Sequence, residues 1–93
     1  MLTQEQKNII LHILAPFQPN LVGIFGSMAR GDAKPGSDLD ILVNFTKRLS
    51  LLDLIDMEDQ LSISLKCKVD LVTESSVHPR IKKTIQKDII YLN

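Results

Sequence analysis

Gly26-Ser27 followed, ten residues on, by Asp38-Leu39-Asp40 is the part of this chain whose residue types and spacing could do chemistry. Side chains two apart on a strand share a face and sit about 6.5–7 Å apart along it. Asp38 and Asp40 therefore project together, at the start of a strand that continues as the apolar run Ile41-Leu42-Val43. Two carboxylates facing one way repel each other unless a cation lies between them. Carboxylates together with substrate phosphates are the usual setting for Mg²⁺. Two such ions about 3.5–4 Å apart can clamp the attacking and leaving oxygens of a phosphoryl transfer. A third carboxylate is expected on a neighbouring strand, about 4.8 Å to the side. Asp70 is the candidate, because in Lys68-Val69-Asp70-Leu71-Val72 it is a charge inside an apolar strand, costly to bury unless something pairs with it.

Gly26 and Ser27 follow an apolar run and open a turn or short helix. Free backbone N–H groups there, with the Ser27 hydroxyl, make a phosphate cradle, and Gly26 lets the backbone approach closely. Each assignment has a plainer rival. Asp38 and Asp40 could hydrogen-bond a solvated turn, and Asp70 could face water from an edge strand. Ser27 could be a helix cap alone. Arg30 could stabilise phosphate charge or simply pair with Asp32 or Asp38. His12 and His78 lack partners at ligand spacing and read as surface or helix-end residues.

The elements that must position these groups can be read along the chain. Thr3 with Gln6 is a capping-box pattern, so a helix starts near Gln4, with Ile9, Ile10, Ile13 and Leu14 at helical spacing. Pro16 and Pro19 end it and, with Asn20, form a turn. Leu21 to Phe25, broken only by Gly23, reads as a buried strand, and Ser27 to Arg30 as one short helix. Leu39 to Phe45 is the next strand. Ser50 caps a helix to about Leu65, with Leu51, Leu54, Ile55, Leu61 and Leu65 along one face. Glu58 falls inside that apolar stripe, suited to pairing with Lys68 or to meeting another protein; Asp53, Asp56 and Asp59 lie on the polar side. Val69 to Val72 is a third strand, and His78-Pro79 opens a last helix to about Asp88. Its Arg80, Lys82, Lys83 and Lys87 make that helix basic. The order predicts an α/β (α+β) fold, a small mixed sheet flanked by helices.

Composition sets the bounds. Ninety-three residues make a single domain, 1–93, with 44% apolar and 24% charged residues, as in ordinary globular chains. Eleven basic residues balance eleven acidic ones, so no electrostatic footprint for nucleic acid is expected. No apolar run reaches the length of a membrane span and no export signal opens the chain, which makes the cytoplasm the default compartment. One cysteine, Cys67, leaves no internal disulfide and no cysteine metal cage.

The segments Gly23-Ile-Phe-Gly-Ser-Met-Ala-Arg-Gly-Asp32, Ser37-Asp-Leu-Asp-Ile-Leu-Val43 and Val69-Asp-Leu-Val72 resemble the minimal nucleotidyltransferase (MNT) domain of the DNA polymerase β-like superfamily. The resemblance runs on to the proline-initiated last helix and so covers nearly the whole chain. It implies Asp38, Asp40 and Asp70 as a triad for two Mg²⁺ ions, with Asp70 helping to deprotonate the attacking hydroxyl. It implies Gly26 and Ser27 at the triphosphate of ATP; Arg30 is added as a nucleotide-binding candidate from its own position and charge. Members of this family are often antitoxins paired with a HEPN-domain toxin. The resemblance therefore implies transfer of AMP from ATP to a tyrosine of a HEPN ribonuclease. The alternative is a non-catalytic antitoxin that neutralises the HEPN partner by binding alone, and either form could be a homo- or hetero-oligomer. One departure is visible: many relatives carry Leu-Gly before the third strand, where this chain has Leu65-Lys66.

Overall fold

The structure, a computed structural model, describes residues 2–93. Helix α1 (Gln4–Leu14) starts on the capping box: the Gln6 N–H donates to Thr3 Oγ1 and the Thr3 N–H to Gln6 Oε1. A 3₁₀ turn over Ala15–Phe17 follows, and Gln18, with φ 54°, turns the chain into the sheet. Strand β1 (Pro19–Phe25) begins two residues before the expected Leu21, so Pro19 and Asn20 belong to the strand rather than to a turn. Proline is tolerated at a strand's first residue, and a bulge between Pro19 and Leu21 absorbs the irregularity. Gly23, the break in the apolar run, leaves the space that the Ile89 side chain fills.

After the short helix α2 (Ser27–Arg30), strand β2 (Leu39–Phe45) runs antiparallel to β1. Helix α3 (Leu51–Leu65), capped by Ser50 and Asp53, then crosses to strand β3 (Val69–Thr73), which is parallel to β2. Helix α4 (Pro79–Asp88) leads to a fourth strand, β4 (Ile90–Tyr91), antiparallel to β1. The sheet order is β3-β2-β1-β4, a mixed sheet as the sequence predicts. The strand β4 was not foreseen, since two residues show no periodicity of their own.

One face of the sheet carries Val22, Ile24, Leu39, Ile41, Val43 and Val69, packed on Ile10 and Leu14 of α1 and Met57, Leu61 and Leu65 of α3. The α3 stripe differs from its predicted composition. Leu51 is 72% exposed and Ile55 is 45% exposed, while Met57 is fully buried. The buried line Met57-Leu61-Leu65, with Leu54 half-buried beside it, is rotated from the predicted stripe by roughly 50° at about 100° per residue. That rotation leaves Leu51 and Ile55 overhanging the sheet edge, where they line an open cavity with Leu71 and Thr73. It also moves Glu58 from the middle of the stripe to its rim. Among the described residues, no helix is long and apolar enough to cross a membrane.

Candidate active site

Strand alternation does the first piece of positioning. Leu39, Ile41 and Val43 point into the core, so Asp40 projects from the opposite face, where α4 covers the sheet only in part. The parallel register sets Asp40 directly beside Asp70, and the antiparallel register sets it opposite Phe25. Strand β3 is an edge strand, as the plainer reading of Asp70 has it, but Asp70 is only partly exposed and lies against Asp40 rather than out in water. Burial pushes the Asp40 carboxyl above the ordinary carboxylate range; the charges of Asp70 and Asp38 and a hydrogen bond with Asp70 add to this, and Arg30 opposes it.

Asp38 stands one residue before β2, not within it. Its Oδ2 lies 3.8 Å from Lys68 Nζ, across the junction where the Leu39 N–H donates to the Lys68 carbonyl. Lys68, one expected partner of Glu58, is thus engaged elsewhere. Among the described residues, no three acidic, histidine or cysteine side chains converge as a ready-made metal site: Asp40 and Asp70 stand together while Asp38 is paired with Lys68.

The Gly26-Ser27 turn adjoins the carboxylates. Gly26 has φ 76° and ψ −155°, a conformation essentially restricted to glycine. A Cβ built on it would overlap Asp40 Oδ2. The first helical hydrogen bond of α2 is donated by the Arg30 N–H to the Gly26 carbonyl at 3.0 Å, so the N–H groups of Ser27, Met28 and Ala29 precede the helical ladder. Gly31, with φ 81°, closes the short helix. Arg30 pairs with Asp32 at 3.2 Å and with Asp88 of α4 at 3.0 Å, and these contacts raise its pKa further. Pairing with Asp32 was one of the two expected arrangements; Asp88 takes the place of Asp38.

A cavity of about 400 Å³ opens beside the two aspartates, lined by Phe25, Asp40, Asp70 and Val72 and by Val77, Ile81 and Ile85 on and before α4. Glu58 lines it too, and its Oε2 accepts the Leu71 N–H at 2.9 Å. Its sequence signal was a charge at an apolar-stripe position, but the acceptor role depends on a strand edge that spacing alone does not reveal. His78 is exposed and its Nδ1 accepts the Arg80 N–H, capping α4; His12 is exposed on α1.

The family model for the nucleotidyltransferase domain matches residues 7–92. The protein adenylyltransferase MntA of Thermococcus cleftensis is 40% identical, over 99% of this chain and 98% of its own. A crystal structure of a toxin–antitoxin with AMP-PNP contains a chain 25% identical, with a TM-score of 0.84 over 94% of this chain and 72% of that one. A re-refined structure of a tri-AMPylated Shewanella oneidensis HEPN toxin in complex with MNT antitoxin contains a chain 23% identical. It has a TM-score of 0.79 over 97% of this chain and 71% of that one, a likeness of fold.

Proposed function

Because the chain belongs to the nucleotidyltransferase domain family, we propose that it is a Mg²⁺-dependent protein adenylyltransferase and an antitoxin. In this reading it transfers AMP from ATP to a tyrosine hydroxyl of a partner HEPN-domain ribonuclease toxin. The observation that carries the chemistry is the register pairing of Asp40 with Asp70 beside a glycine whose missing side chain makes room for Asp40. The reading of the partner rests on kinship with a protein adenylyltransferase and with chains of toxin–antitoxin complexes.

Asp38, Asp40 and Asp70 offer an all-oxygen donor set suited to a divalent cation, and burial, with the neighbouring charges of Asp70 and Asp38, raises the proton affinity of Asp40 in its absence. Bound there, Mg²⁺ would neutralise phosphate charge as the α-phosphorus is attacked. The chain's own residues do the remaining work. The N–H groups of Ser27 and Met28, with the Ser27 hydroxyl, hold triphosphate oxygens. Arg30 exchanges one of its carboxylate partners for phosphate. Val77 and Ile81 give the cavity an apolar wall suited to a phenol ring, with Asp70 at its acidic end. The phenolic oxygen bonds to the α-phosphorus, pyrophosphate departs, and the phenolic proton passes to Asp70. Positioning and charge stabilisation supply most of the acceleration in such transfers.

The test is intact mass of a purified HEPN partner after incubation with this chain and Mg-ATP. Addition of AMP units that Asp38→Asn and Asp40→Asn both abolish supports the reading. An unmodified partner that is still neutralised means action by binding alone, and both variants retaining full transfer would remove the carboxylates from the mechanism.

A further inference from the structure

We propose that Glu58 is a positioning residue for Asp70, acting through the exposed edge of β3; the kinetic part of this proposal rests on the function proposed above. The edge strand has β2 on one side and no strand on the other, so alternate N–H groups point outward. Two of them are taken by side chains of α3: the Val69 N–H donates to Ser62 Oγ at 3.2 Å and the Leu71 N–H to Glu58 Oε2 at 2.9 Å. The spacing fits. Four helical residues rise about 6.0 Å and two strand residues about 6.6 Å, so Ser62 and Glu58 meet Val69 and Leu71 in register as helix and strand run past each other. Asp70 is the residue between the two clamped amides, with its side chain on the opposite face beside Asp40.

The arrangement explains why a carboxylate stands at the rim of an apolar stripe. An edge strand of five residues otherwise frays at the end where β3 leaves the sheet. Reacting groups must be held within about 0.5 Å to work. Ser62 fixes the start of the strand, and Glu58 fixes the residue immediately after Asp70. Glu58 also lines the cavity that Asp40 and Asp70 share, so loss of its hydrogen bond is felt at the site itself.

Glu58→Leu removes the acceptor and Glu58→Gln keeps one. For Glu58→Leu the expected result is a kcat about 10–100-fold lower, as for the loss of groups that orient a metal's ligands. KM for ATP should stay within about 2-fold, because the Gly26-Ser27 turn is untouched. The Leu71 amide should lose protection in hydrogen exchange, Mg²⁺ affinity by calorimetry should fall, and Glu58→Gln should restore all of these. Unchanged kcat in Glu58→Leu, unchanged Leu71 protection, or a Glu58→Gln variant as impaired as Glu58→Leu overturns the proposal. Should Glu58→Leu fail to fold, Glu58→Asp, one methylene too short for the bond, carries the same test. If the wild-type chain transfers no AMP, the fault lies with the proposed reaction. Amide exchange and Mg²⁺ affinity then decide the clamp by the same criteria.

Discussion

Asp40 Oδ2 occupies the space that a side chain at Gly26 would need. The carboxylate of one strand and the turn after its neighbour are thus built as one unit: moving either disturbs the other.

Gly26→Ala tests that unit. The backbone conformation alone costs a non-glycine residue about 1–3 kcal/mol, and the new methyl must also displace the Asp40 carboxylate. Both a lower Tm and loss of AMP transfer are expected. Loss of stability with full activity would mean that the Asp40 carboxylate can move without consequence.

Asp40→Asn should separate stability from activity. The folded chain raises the Asp40 pKa above its ordinary 3.8, so the folded state binds more protons than the unfolded state in the window above that value. Stability of the metal-free chain therefore falls as pH rises through this window, and the carboxylate is destabilising at neutral pH. The amide should raise the Tm at pH 7 and flatten its pH dependence, while kcat falls by about 10²-fold or more.

Arg30→Ala should leave the Tm almost unchanged, since the guanidinium is exposed and its ion pairs are screened. KM for ATP should rise, with a smaller effect on kcat. A variant with unaltered KM would assign Arg30 only to tying α2 to α4 through Asp88.

Lys66→Gly should stabilise the fold. Lys66 closes α3 in the left-handed region, φ 57° and ψ 37°, where a side chain costs about 1–2 kcal/mol. The added freedom of glycine in the unfolded chain returns about 0.4–1 kcal/mol of that, leaving a net gain of up to about 1.5 kcal/mol, readable by urea denaturation. This is the position where the resemblance seen in the sequence implies glycine, and transfer activity should be unaffected.

The placement of Asp40 beside Asp70 was legible because it follows from local rules, whereas Asp38, expected to project with Asp40, lies before the strand and pairs with Lys68. Period two puts Asp40 on the face opposite Leu39 and Ile41, and an acidic residue among Val69, Leu71 and Val72 needs a partner. What escaped the sequence depends on contacts between distant segments. Met57 rather than Leu51 is buried because β3 ends the sheet beneath α3. Glu58 accepts a strand-edge amide that no spacing rule predicts. Ile90-Tyr91 is a strand only because β1 offers an open edge.

That last pairing carries a consequence for the order of assembly. The Val22 N–H donates to Asn93 Oδ1, 71 positions away, and the Val22 carbonyl accepts the Leu92 N–H at 2.8 Å. Contacts at such separation form against the full entropy of loop closure, whereas α3 and β3 lie close together in the chain. The outer edge of the strand that delivers Gly26 is hence sealed last, whereas its pairing with β2 joins Phe25 to Asp40 across a loop shorter than the one between Asp40 and Asp70. The Gly26 turn and Asp40 are thus joined by the shortest closure in the sheet, and the C-terminal residues only lock the far edge of the strand that carries the turn.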